Sequence, residues 1–206
     1  MRRLAWNAVT VLAAAVLAGC QPATPTPPSS TTPVQSPTSV PTPTYLCTPE
    51  AGGDEAPCSE IEYEEMKAKD ALYAEAEAVF REYFAENIRI SRAGGVTQPT
   101  ETILRTTTGS VLKSLMEVFR DMETRGVRAV GSDPVLLVER APGLAREGSA
   151  VALEVCTDAT GWSFYSGDEF VSSGRMANER VYFAKAEESL KMVYIEGKWV
   201  ESCAPD

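Results

Sequence analysis

Apolar residues first recur at helical spacing after Ser59, where Leu72, Tyr73, Ala76, Val79, Phe80, Tyr83 and Phe84 fall at steps of three and four. That stripe predicts a long amphipathic helix running to about Asn87. Ser59 with Glu62 three residues on reads as a capping box at its start. Gly94-Gly95 and Pro99 interrupt the pattern, and a short helical turn is expected over Glu101 to Arg105. A second helix follows Ser110, with Val111, Leu112, Leu115, Met116, Phe119 and Met122 on one face and Gly126 as its left-handed stop.

Beyond Gly126 the period changes to two, and β-branched and aromatic residues alternate with polar ones. Strands are predicted over Val127–Val130 and Val135–Arg140, read as one strand bent at Asp133-Pro134, and over Ser149–Thr157. Glu179–Ala186 and Leu190–Ile195 follow, and Glu196-Gly197 is read as a tight hairpin into Lys198–Cys203. In that last strand Trp199 and Cys203 would face one layer. Helices followed by a run of antiparallel strands give an α+β domain, its N-terminal helices packed on one face of a curved sheet.

The start of the chain has a different pattern. Met1-Arg2-Arg3 is a positive cluster, Val9 to Leu17 is almost wholly apolar, and Leu17-Ala18-Gly19-Cys20 closes the segment. The apolar run is too short for a permanent span, so residues 1–19 read as a cleaved signal peptide. The closing four residues resemble the lipobox of bacterial lipoproteins, which implies acylation of Cys20 and an extracytoplasmic domain tethered to a membrane. From Gln21 to Leu46 there are eight prolines and no charged residue. Such composition cannot form a core, and residues 20–46 are read as a lipidated N-terminus and disordered stalk reaching roughly 80 Å. Residues 47–206 are then a single domain.

Charge and cysteine usage narrow the chemistry. With 19 basic and 29 acidic residues, net −10, and no basic stripe, nucleic acid is excluded as a partner. Setting aside Cys20 leaves Cys47, Cys58, Cys156 and Cys203, an even number for an oxidising compartment. Three pairings are open to four cysteines. The Gly/Pro loop between Cys47 and Cys58 favours their pairing, leaving Cys156 with Cys203. The chain has no histidine and no Cys-x-x-Cys pair, so no metal or cofactor site is expected and a Ser-His-Asp or Cys-His catalytic set is excluded.

The element order, the Val151–Gly161 stretch of strand, Asp-Ala-Thr-Gly turn and aromatic loop, and Glu196-Gly197-Lys198-Trp199-Val200 resemble the cone-shaped fold of the nuclear transport factor two-like superfamily. More narrowly, the chain is similar to small stalked lipoproteins of Gram-positive bacteria that carry such a domain. The resemblance implies a pocket between helices and sheet, where ketosteroid isomerases and polyketide cyclases of that fold keep an acid or base. No catalytic motif of those enzymes is matched here, and no catalytic residue is assigned. Candidate pocket residues are Asp158, Trp162, Tyr165, Asp168 and Tyr182. The plainer reading makes Asp158 and Asp168 turn residues, Tyr83 and Tyr182 packing residues, and Trp162 with Phe164 the cover of an open end. The first functional expectation is a non-enzymatic lipoprotein whose domain binds an envelope protein or cell-wall component. A small-ligand carrier, and then a lyase or isomerase using Asp or Tyr, stand behind it.

Overall fold

The computed structural model describes residues 44–143, 146 and 148–203. The leader, Cys20 and the proline-rich stretch through Pro43 lie outside the described residues. The first described elements are Tyr45–Cys47 (β1) and Ala56–Cys58 (β2), an antiparallel pair closed by the Cys47–Cys58 disulfide. Tyr45 and Leu46, assigned from composition to the stalk, are therefore part of a strand. The Tyr45 ring packs at a tilt against Tyr63, centroids 5.2 Å apart, which ties this hairpin to the first helix.

That helix, Glu60–Ala93 (α1), begins with the expected capping box. Ser59 N–H donates to Glu62 Oε2 at 2.8 Å, and Glu62 N–H donates to Ser59 Oγ at 3.3 Å. It runs six residues past Asn87, because Ile90, fully buried, continues the stripe of Phe80 and Tyr83 at the same spacing. Gly95 then passes against the third helix so closely that a Cβ there would lie 2.1 Å from Phe119 O. Glu101–Thr106 (α2) is capped by Thr100, and Gly109–Arg125 (α3) ends at Gly126 in the left-handed conformation, φ 64°. Among the described residues no helix is long and apolar enough to cross a membrane.

Besides the β1–β2 pair, the described strands form two antiparallel sheets. Val127–Gly131 (β3), Trp162–Ser166 (β6) and Glu169–Ser173 (β7) make one, in the order β3-β6-β7. Val135–Arg140 (β4), Val151–Asp158 (β5), Met176–Ala186 (β8) and Ser189–Trp199 (β9) make the other, in the order β4-β5-β8-β9. The stretch expected as one bent strand is thus two strands in different sheets. Arg92 fixes the corner between them by donating to Gly131 O and pairing with Asp133 at 2.8 Å.

Two further expectations are corrected. The aromatic stretch after the Asp158-Ala159-Thr160-Gly161 turn, expected as a loop, is a hairpin of two strands turning at Gly167-Asp168. The terminal hairpin lies at Glu187-Glu188, and β9 runs straight through Glu196-Gly197. Glu187 takes φ 62°, a conformation more usual for glycine, whereas Gly197 is in the ladder opposite Glu179. A Cβ at Gly197 would lie 2.8 Å from Glu179 Cγ, so the glycine serves close packing rather than a turn.

Residue alternation sorts the four-stranded sheet into two faces. The inner face carries Leu153, Val155, Val181 and Phe183, which meet Phe80, Ile103 and Phe119 of the helices in one core. The outer face carries the row Glu139, Glu154, Arg180 and Glu196, and beside it Ala152, Tyr182 and Tyr194. Cys156 pairs with Cys203 on this outer side, while Trp199 shares the inner row of Thr157 and Ala177. The tryptophan and the bridge therefore face opposite layers, not one.

Candidate functional site

The inner face is not covered over its whole length. Where β5, β8 and β9 run past the middle of α1, the floor changes from Val181 and Phe183 to the smaller Ala177 and the lone acid Glu179. A cleft of about 430 Å³ opens there. Its walls are aromatic: Tyr83 and Phe84 from α1, Trp162 and Phe164 from β6, and Trp199 from the end of β9. This is within the size range of small-molecule sites. Arg175, Ser172, Ser173 and Asn87 also contribute to the lining.

Glu179 has Val155 on one side and Gly197 on the other in its strand row, so no neighbouring side chain supplies a cation. Among the described residues no ion pair or hydrogen bond reaches its carboxyl. Burial pushes its pKa above the usual carboxylate value. By exposed area the residue is only half-buried, so the carboxyl is a group shielded by the cleft rather than sealed in the core. Tyr83, 7% exposed, likewise has no hydrogen-bond partner for its hydroxyl among the described residues. Its pKa is raised by burial first and by the Glu179 charge second. The indole N–H of Trp162 is closed off from solvent and meets no acceptor.

Of the five residues singled out from sequence, only Trp162 is in this cleft. Asp158 ends β5 and is held as a turn residue, accepting from Thr160 N–H at 2.9 Å and Thr160 Oγ1 at 2.6 Å. Those two bonds lower its pKa. Tyr165 alternates to the other face of β6 from Phe164 and meets Phe170 edge-on at 5.9 Å. Asp168 is exposed in the β6–β7 turn. Tyr182 is on the outer face, where its hydroxyl donates to Glu196 Oε1 at 2.7 Å and this bond chiefly raises its pKa. Proximity in sequence grouped them; strand alternation and the separation into two sheets disperse them. Glu179, Tyr83, Phe84 and Trp199 replace them. The signal for Glu179 was present, since it shares the apolar face of Val181 and Phe183 at steps of two.

A larger depression of about 600 Å³ lies on the outer face beside the Cys156–Cys203 bridge, but Glu139, Glu154, Asn178 and Lys198 make it polar. Arg180 already pairs there with Glu154 and Glu196, each at 3.7 Å. Among the described residues no cluster of His, Cys, Asp or Glu could hold a metal ion.

No family model matches the chain, and no curated protein does. Among solved structures it is similar to the intermembrane space region of the chloroplast protein ARC6. The two share 16% identity over 62% of this chain and 95% of that one, with a TM-score of 0.45. That likeness is too distant to bear on function.

Proposed function

We propose that this protein is a lipid-anchored extracytoplasmic lipoprotein whose folded domain binds a small organic molecule in the cleft between α1 and the sheets. The observation that carries the binding role is an aromatic-walled cleft whose floor bears one unpaired carboxyl, Glu179. An apolar cavity with a few convergent polar groups is the usual form of a ligand site. This favours a carrier over a docking surface. Among the described residues the ten large exposed apolar side chains are spread over eight elements, with no more than two on any one, Val135 and Leu137 on β4 and Phe170 and Val171 on β7.

The anchor is supported by the leader pattern ending at Cys20 and by the two disulfides, which form in oxidising compartments. A nuclear transport factor two-like, cone-like class is supported by helices covering the inner face of an antiparallel sheet with a cleft between them. A second reading, proton transfer on the bound molecule, draws on the raised pKa of Glu179 beside Tyr83.

Native mass spectrometry of protein purified from its own cell envelope tests the carrier role. A co-purified small molecule, lost on Phe84→Trp and Ala177→Leu filling of the cleft, is expected; a mass equal to the bare chain at every preparation argues against it. Processing blocked by globomycin is expected for the anchor, and processing indifferent to the drug contradicts it.

A further inference from the structure

Glu179 is an acid without a counterion. Arg180, its neighbour in β8, points to the opposite face and is engaged by Glu154 and Glu196. Tyr83 from α1 brings a hydroxyl without a partner, and no described cation pairs with the carboxylate. An ionised carboxylate shielded from water is costly unless it meets a positive charge. Gly197, opposite it, has no side chain and lets the Glu179 side chain pack over it, so strand pairing brings no counterion to the carboxylate. The rings of Tyr83, Phe84, Trp162, Phe164 and Trp199 line the same cleft as Glu179, and the faces of aromatic rings attract cations. One such contact exists at the mouth, where the Arg175 guanidinium lies 5.8 Å from the centre of the Trp199 ring. The whole chain carries net charge −10.

We propose that the cleft receives an organic ammonium ion, its methyl or methylene groups against the aromatic rings and its charge balanced by the Glu179 carboxylate. The inference rests on the cleft's being a ligand site. A neutral ligand leaves the carboxylate unpaired, and an anion meets it directly. Arg175 at the rim competes with such a ligand, both by charge and by its place on Trp199.

The test is calorimetric titration of the disulfide-bonded protein with choline and with 3,3-dimethyl-1-butanol, an uncharged molecule of nearly the same shape. N-phenyl-1-naphthylamine serves as an apolar fluorescent probe of the cleft itself. Choline is expected to bind at least about tenfold more tightly than the alcohol, the scale of a shielded cation–π site. Glu179→Gln should erase most of that preference without changing the alcohol, and Arg175→Ala should strengthen choline binding by a few fold, about two to five. The inference is overturned if the alcohol binds as tightly as choline, or if Arg175→Ala weakens choline, since removal of a competing positive charge should not weaken a cation held by Glu179. If the naphthylamine enters the cleft while choline shows no preference, only the cationic ligand class fails. If none of the three binds, the ligand-site reading falls with it.

Discussion

The two disulfides close loops of very different length, which turns their contributions into a ranking. Cys47 and Cys58 are 11 residues apart and Cys156 and Cys203 are 47 apart. Loop-closure entropy of the unfolded chain gives about 2.8 kcal/mol for the first bridge and about 4.0 kcal/mol for the second at 25 °C. The difference, about 1.3 kcal/mol or about ninefold in the folding constant, depends only on the ratio of loop lengths. The native side adds in the same direction, since Cys156 is 7% exposed within the sheet. The hairpin bridge, by contrast, joins two three-residue strands at the start of the domain. Urea denaturation of Cys47→Ala/Cys58→Ala and Cys156→Ala/Cys203→Ala, each against the parent, reads both losses. The slope m should rise in both variants as the unfolded chain expands. An equal loss, or a larger one from the hairpin pair, would refute the loop-length argument.

Glu179 makes stability depend on pH in the opposite sense to most carboxylates. Its folded pKa is raised above 4.5, so the folded chain holds the proton more tightly than the unfolded one. The stability this gives is full below 4.5 and is lost as pH rises through the folded value. The stability of Glu179→Gln minus that of the parent, measured in urea at several pH values, should therefore grow from pH 4.5 upward and then level off. Phe183→Ala, at a residue with no exposed surface, should cost about 3–5 kcal/mol, while Val135→Ala, 69% exposed, should stay within about 0.5 kcal/mol. Ser59→Ala removes the cap of α1 and should cost about 1 kcal/mol, with thermal melts of the parent and variant as the readout.

Helix faces and caps were legible in the sequence because they are local. The Ser59 box, the Phe80 stripe and the Gly126 stop each depend on residues within a turn or two of one another. The strands of the four-stranded sheet and β3 were read from alternation, and the cysteine pairs were read correctly, but β1, β2, β6 and β7 were missed because short strands of mixed polarity carry little period-two signal. Connections were not, and for identifiable reasons. The final turn uses Glu187 at positive φ, while the glycine that mimics a turn, Gly197, is in mid-strand to make room for Glu179. Which strands share a sheet is a matter of partners far apart in the chain, so β3 and β4 looked continuous although they belong to different sheets.

The sequence-predicted pocket residues are dispersed for the same reason. Asp158, Tyr165 and Asp168 are near Trp162 in sequence but not in the cleft, whose chemistry depends on a helix and a strand nearly a hundred residues apart, Tyr83 and Glu179. Period-two alternation through β8 was the one local clue, setting an acid on the face of Val181 and Phe183.

Of the three tryptophans, Trp6, Trp162 and Trp199, the last two line the cleft. Their indole N–H signals in a ¹⁵N-correlated spectrum, followed during titration with N-phenyl-1-naphthylamine, report occupancy directly. Saturable movement of both indole peaks, together with the amides of Tyr83, Phe84 and Glu179, is the predicted result. Shifts confined to the outer-face row of Glu139, Glu154 and Glu196, with both indole signals still, would contradict a ligand-binding cleft.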